Sequence, residues 1–365
     1  MRHFGVSFAV TFILMGLAGW WGFNHGGSAG MLSALWICAV LGVMEVSLSF
    51  DNAVVNASVL RHWNEFWRKL FLTVGILVAV FGMRLVFPLL IVSVATGLGL
   101  FDVWTMATTT PDEYSRHLTE AHAQVAAFGG AFLLLVFLNF LFDEEKEHHW
   151  LGWFEEKLGA IGSGGLAVLL TLAAVFGCMT MVPEKDKLSV LTAGVVGVVV
   201  YLAVSWLSDL LEQDEPTDAE DGDTTESGVG SNGRTTGVGA VVGTVARGSI
   251  GGFLYLEVLD ASFSFDGVIG AFAITNDVVI IMLGLAIGAM FVRSMTVFLV
   301  HKGTLDEFVY LEHGAHYAIG ILALIMLGSV KYHIPEWFTG LSGVAFILVS
   351  LWSSLRYRKR HAASA

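Results

Sequence analysis

Charge is scarce in this sequence: Asp, Glu, Lys and Arg make up 14% of 365 residues, while 55% are hydrophobic. Soluble domains carry about a quarter charged residues, so a water-soluble globular domain is excluded. Bases are scarcer still, with 19 Lys and Arg against 32 Asp and Glu and a formal net charge of -13. Without a basic surface to neutralise phosphates, nucleic acid is excluded as a partner. Cysteine is nearly absent: Cys38 and Cys178 both lie inside apolar runs, which rules out a disulfide framework and a CxxC zinc site. Five prolines against 42 glycines describe helices that pack closely, not a proline-rich or collagen-like chain.

What is present is a series of apolar runs, each near the roughly 20 residues needed to cross about 30 Å of hydrocarbon. They fall near Phe4 to Phe23, Met31 to Leu60, Leu70 to Ala95, Gln124 to Phe142 and Ile161 to Val182. Five more lie near Leu188 to Leu211, Gly248 to Ile274, Val278 to Val300, Ala315 to Val330 and Trp337 to Leu355. The expected fold is therefore an all-α polytopic transmembrane bundle of about ten spans, with the lipid bilayer as its first partner. The first run is too long for a signal peptide core and ends in Trp20 and Trp21, which suit a membrane interface, so it is expected to be retained.

One side of such a bundle collects Arg61, Arg68, Lys69, Lys146, Lys157 and the closing Arg356, Arg358, Lys359 and Arg360, while the other holds only Arg116, Lys185, Lys187 and Lys331. The positive-inside rule places both termini in the cytoplasm. Residues 212–246 are first acidic and then rich in Gly, Ser and Thr, which reads as a disordered cytoplasmic linker. The chain thus divides into a first transmembrane half, 1–211, the linker, and a second half, 247–365, with a basic cytoplasmic end.

The halves repeat. Glu45-Val46-Ser47-Leu48-Ser49-Phe50-Asp51-Asn52 is matched by Asp260-Ala261-Ser262-Phe263-Ser264-Phe265-Asp266-Gly267. One span further on, Gly75 precedes Arg84 by nine residues, as Gly284 precedes Arg293. A displacement of five spans reverses orientation, which is the five-plus-five inverted repeat of secondary transporters, with a binding site at the interface of the halves.

Glu45, Asp51, Arg84, Glu257, Asp260, Asp266 and Arg293 all fall within spans, where each charge costs about 2.5–3.5 kcal/mol to insert. At about 100° per residue Glu45, Ser49, Asn52 and Asn56 share a face and Asp51 lies off it; Glu257, Asp260 and Ser264 share another and Asp266 lies off that. Broken helices at the two Ser-Phe-Asp segments are expected, to let acids, amides, hydroxyls and freed carbonyls converge. Such oxygen ligands suit a hard divalent cation, manganese, calcium or magnesium, over zinc or copper. On this reading Asp51, Asp266, Asn52, Glu45, Asp260, Glu257, Ser49 and Ser264 are the candidate metal ligands, and Arg84 and Arg293 balance their charge. The competing readings are ion pairs that only fix helix register, and serines that bond back to their own helix.

Glu312, His313 and His316 form a second polar cluster without the HExxH spacing of a metalloprotease helix. An interfacial polar cap and a secondary metal or proton site are both open for it. No nucleophile or third zinc ligand stands at a recognisable spacing, so no enzyme and no resident cofactor is expected. Residues Asp143 to His149 read as a solvated loop.

The two Ser-Phe-Asp segments, the paired arginines, the span count and Tyr310-Leu311-Glu312-His313-Gly314-Ala315-His316 resemble the TerC family of integral membrane proteins, in its bacterial branch. Ser49-Phe50-Asp51-Asn52 is the family's hallmark, and Gly267 departs from it in the second half. The resemblance covers most of the chain, from about the second span to the ninth, and implies a bacterial inner-membrane protein linked to manganese export and tellurium resistance. It implies that Asp51, Asn52 and Asp266 carry the acidic motif, with Glu45 and Asp260 upstream. The expected function is export of a divalent cation, Mn²⁺ first and Ca²⁺ second, by alternating access. The alternative is a non-transporting anchor for cytoplasmic stress-response proteins recruited through the acidic linker.

Overall fold

A computed structural model describes residues 4–61, 63–75, 78–143, 146, 148–161, 164–212, 250–301, 308–332 and 334–362. Apart from Glu212, the linker 212–246 lies outside the described residues. Every regular element among them is helical.

The first helix, α1 (Gly5–Leu48), folds back on itself where Gly26 and Gly27 leave helical geometry. Gly27 has φ 61° and ψ -148°, a conformation that side chains with a Cβ rarely adopt. The two arms press together so tightly that a Cβ on Gly22 would come within 2.5 Å of the Gly30 carbonyl. Their outer faces carry large apolar groups, with Phe12 78% and Trp36 72% exposed. Exposure on that scale fits hydrocarbon, not water.

The chain continues through α2 (Phe50–Leu60), α3 (Glu65–Leu70), π-helical stretches at Phe71–Gly75 and Val78–Val86, and α4 (Phe87–Thr96). At one end of the bundle α5 (Leu100–Thr109) and α6 (Pro111–Glu120) form a cap; α7 (His122–Leu141) then descends through the centre. Next come α8 (Trp153–Ile161), α9 (Gly164–Met181) and α10 (Glu184–Glu212), then α11 (Ile250–Phe272), α12 (Val278–His301), α13 (Leu311–Ser329) and α14 (Glu336–Ala362). α7 is apolar on all sides and largely buried, packed by α10, α13, α9 and α11. A helix with no polar face must be covered all round, and this one organises the larger core, with Phe132, Leu133 and Leu135 against Leu256, Leu259, Ile319 and Met326. A second core joins α1 to α11 and α12 through Leu41, Phe265, Ile281 and Leu285.

The result is an all-α polytopic membrane bundle. Among the described residues seven helices are long and apolar enough to cross a membrane, and α8 with α9, bent by 97°, makes an eighth. The expectation of ten counts the folded α1 as two spans and adds α11, whose Glu257, Asp260 and Asp266 lower its apolar character.

Only one of the two expected helix breaks is present. Ser49, at φ -102° and ψ 17°, separates α1 from α2 at the first Ser-Phe-Asp segment. The second expectation is corrected: α11 runs as continuous helix through Ser264, Phe265 and Asp266. The difference lies at Asp51, whose Oδ1 accepts the Asn52 amide at 3.0 Å, so that a short side chain competes for a backbone donor; Ser49 Oγ donates to the Glu45 carboxylate at 2.8 Å. In α11 Ser262 instead bonds back to the Val258 carbonyl at 2.9 Å, Phe265 is locked in the core, and Gly267 has no side chain to compete.

Candidate functional site

The break and the π-helical stretches bring polar groups from five elements to the middle of the bundle. Glu45 at the end of α1 is buried and ion-paired to Arg84, which stands on the second π-helical stretch. Arg84 also donates to the Ala79 carbonyl at 2.5 Å. From α2, Asn52 Nδ2 donates to Asp260 Oδ1 of α11 at 2.5 Å, so one amide ties the two repeated segments together. Arg293 of α12 donates through Nε and Nη2 to the Leu72 carbonyl, at 3.0 and 2.6 Å. Both arginines therefore hold carbonyls of the π-helical region. Such stretches widen the helix and recur at functional sites.

These groups surround a cavity of about 40 Å³ lined by Asn56, Gly75, Ala79, Arg84, Glu257, Asp260 and Arg293. One water needs about 10–15 Å³ measured in this way, so the space holds a few waters or a small ion with part of its hydration. Glu257 is 5% exposed and neither of its carboxylate oxygens has a hydrogen-bond partner. The Oδ1 atoms of Asn52 and Asn56 are likewise buried without a partner, and Asp260 has its Oδ2 on the same terms, with the Ser264 hydroxyl beside it. An unpaired buried carboxylate costs several kcal/mol, and neutralisation by a proton or a cation is the condition for keeping it there. Of the two guanidinium groups here, Arg84 pairs with Glu45 and Arg293 with a carbonyl, so neither forms an ion pair with Glu257.

The structure brings together Glu45, Ser49, Asn52, Asn56, Arg84, Glu257, Asp260 and Arg293. It does not bring Asp51 to them. Asp51 sits in the first turn of α2, where the helix N-terminus favours an acid, and lines a separate cavity of about 20 Å³ with Phe263, Gly267, Leu322, Thr339 and Gly340. A Cβ on Gly343 would come within 2.5 Å of Asp51 Oδ2, so α14 closes on this carboxylate. The break at Ser49 leaves Asp51 on its own face and does not turn it toward Glu45, because α2 resumes helical geometry at once. Arg293 pairs with a carbonyl and not with an acid. The backbone of Asp266 lies in α11; its side chain is outside the described residues.

Among the described residues no three His, Cys, Asp or Glu side chains gather closely enough to hold a metal ion by themselves. A cation at the central cavity would be held by Glu257 and Asp260 with amide oxygens of Asn52 and Asn56. That oxygen set fits a hard divalent ion.

The second polar cluster is occupied differently. Glu312 pairs with Arg61 at 2.8 Å, and His316 Nδ1 lies 2.9 Å from the Glu312 carbonyl with its ring stacked on Phe140 at 3.9 Å. His313 Nε2 lies 2.7 Å from the His148 carbonyl and 3.6 Å from Glu155 Oε2. Glu155, fully buried, accepts from the Tyr317 hydroxyl at 2.6 Å and the Trp150 amide at 3.0 Å. The reading of Asp143 to His149 as a solvated loop is corrected: Lys146 lies over the Phe140 ring and His148 is bonded to α13. Burial pulls the Lys146 ammonium down from the ordinary lysine range, against the opposing pull of Glu155 and Asp143. Glu155 is a site residue that sequence reasoning missed. Its one signal is an acid on a short helix that also presents Trp153 and Phe154, a face meant to meet apolar surroundings.

A family model described as "Protein of unknown function (DUF475)" matches residues 50–361. The uncharacterized membrane protein YceF of Bacillus subtilis (strain 168) is 37% identical over 83 residues, which are 22% of this chain and 31% of that protein. The chain thus aligns with about a third of that relative's length. No solved structure matches the chain.

Proposed function

The chain belongs to the DUF475 family, and we propose that it is a transporter of a divalent metal cation, Mn²⁺ before Ca²⁺, working by alternating access and not an enzyme. The observation that carries this reading is Glu257: a carboxylate with both oxygens unpaired, in a small cavity at the meeting of α2, the π-helical region, α11 and α12. A purely structural ion-pair network would leave no acid unpaired and no amide oxygens unused beside it. The modest ligand set suits a transporter, since an ion that must leave again is bound weakly.

Packing supports the inverted repeat on which alternating access depends. Gly42 and Glu257 each stand nine residues before the Asp of their Ser-Phe-Asp segment, and Gly284 and Gly75 each stand nine before their Arg. A Cβ on Gly42 would lie 3.5 Å from the Gly284 carbonyl, and one on Gly75 would lie 2.8 Å from Glu257 Oε1. The repeated positions are thus neighbours in both halves, through a backbone carbonyl in one and through the Glu257 carboxylate in the other. The difference between them is a carboxylate where the first half has only glycine, which sets the unpaired charge in one half.

In this mechanism Asp260 and Glu257 meet the cation, with Asn52 and Asn56 supplying amide oxygens. Arg84 compensates Glu45, and Arg293 holds the π-helical backbone as the halves exchange access. Asp51, on its separate cavity, stands outside this ligand set. The TerC resemblance supports manganese and outward movement from the cytoplasm of a bacterium, across its inner membrane, with both termini inside and the membrane potential or protons as driving force. The acidic linker would be the contact for cytoplasmic stress-response proteins.

The test is flux of Mn²⁺, Ca²⁺, Mg²⁺ and Zn²⁺ in liposomes holding the purified protein, with and without a pH gradient, beside Glu257→Gln and Asp51→Asn. Mn²⁺ movement that is lost in Glu257→Gln is expected. No movement of any ion by folded wild-type protein would refute the reading.

A further inference from the structure

A second cavity lies away from the central site and is independent of the transport reading. It is a lateral groove of about 950 Å³ between α4 and α10, floored by α7. Leu90 and Val94 line one flank, Val196 and Ala193 the other and Phe128 the floor, with Val94 78%, Leu90 45% and Val196 43% exposed. These apolar walls run at the depth of the spans. The groove ends in polar groups from α6 and the first turn of α10: His117, Glu120, Lys185 and Asp186. Gln124 and Ser189 stand between the two regions, one donating to the other at 3.4 Å. By chain direction this end is that of the Gly26–Gly27 turn, and Asn276, which donates to Asp112 at 2.6 Å, ties the same end together.

We propose that this groove is a binding site for one zwitterionic phospholipid, its acyl chain along the apolar walls and its headgroup among the charges. The order of surfaces, apolar, then amide and hydroxyl, then charged, repeats the order of chain, ester and headgroup in a lipid. The charges select the headgroup. One lysine and two carboxylates face the mouth, so a phosphate finds Lys185 and an ammonium finds Asp186 and Glu120, although Glu120 also meets Arg116 at 3.0 Å and His117 at 3.6 Å. Glu120 is thus already paired, and an anionic headgroup without an ammonium would leave the Asp186 carboxylate facing it uncompensated.

Full-length protein is reconstituted in nanodiscs with equal phosphatidylethanolamine and phosphatidylglycerol, released, and weighed by native mass spectrometry. One phosphatidylethanolamine per chain is expected to remain bound and to be lost in Ala193→Trp, whose indole projects from the α10 wall into the path of the acyl chain. Leu90→Trp, from the opposite wall, gives the same loss by a separate substitution, and circular dichroism shows which variants are folded. Lys185→Glu should reduce retention by removing the phosphate partner. Equal retention in wild type and a folded tryptophan variant, a preference for phosphatidylglycerol, unchanged retention in Lys185→Glu, or a dimer without lipid each overturns the proposal.

Discussion

Gly75→Ala adds a single methyl group, and the structure says where it goes. A Cβ at this position would lie 2.8 Å from Glu257 Oε1 and 3.0 Å from the Phe71 ring, well inside ordinary contact. The carboxylate has to retreat by about half an ångström or more to restore van der Waals distance, into a cavity of about 40 Å³ that the new methyl also enters. Overpacking of this kind costs about 1–3 kcal/mol, while alanine in place of glycine returns up to about 1 kcal/mol of helix propensity. The protein should therefore fold, with a thermal midpoint near that of the wild type, and lose most of its Mn²⁺ flux in liposomes. Gly82→Ala is the control on the same π-helical region, because there the added Cβ meets nothing nearer than the Val78 side chain at 3.3 Å. Flux is expected to survive in Gly82→Ala. Wild-type flux in Gly75→Ala, or equal damage from both substitutions, would refute the assignment of the cavity beside Glu257 as the ion path.

Other expectations follow from the same geometry. Arg84→Met leaves Glu45 buried without its counter-ion and should cost about 3–5 kcal/mol, read as a lower melting temperature in detergent. The double variant Glu45→Leu with Arg84→Met should recover part of that loss, and a double variant no more stable than the single would argue against the pair. Asn52→Ala removes the only side chain shown to bridge α2 to Asp260 and should weaken Mn²⁺ binding, raising the concentration for half-maximal flux, with about 1–3 kcal/mol at stake; an unchanged concentration dependence would remove Asn52 from the site. Glu155→Ala strips the acceptor of Tyr317 and Trp150 and should expose the segment 148–152 to limited proteolysis while leaving the central cavity intact. Unaltered protection of that segment would show that Glu155 does not hold it.

Much of the fold was legible from composition and periodicity. Long apolar runs are read as membrane helices because that statement concerns the chain and its solvent and no distant partner. The Gly-to-Arg spacing and the duplicated Ser-Phe-Asp segments likewise named Gly75, Arg84, Asp260 and Arg293 of the cavity before any contact was known. The break at Ser49 was expected so that the polar groups around it could converge; in the structure it accompanies the Asp51 side chain taking the Asn52 amide. Its absence from α11 was not, because there the competition is decided by Phe265, held in a core that the segment's own residues do not describe.

What tertiary structure decided is which of the acids share a space. Sequence gives the angle of each side chain about its own helix, but the rotation and crossing of helices are set by close approaches such as Gly42 to Gly284 and Glu257 to Gly75. Those crossings put Glu257 and Asp260 on one cavity and Asp51 on another, and they turned Arg293 toward a backbone carbonyl in place of an acid. Elsewhere the packing buries Glu155 beside His313, some 160 residues away in the chain. Local pattern fixed the inventory of charges in the membrane; the packing of a few small residues fixed their partners, because only where backbones approach closely can short polar side chains reach across.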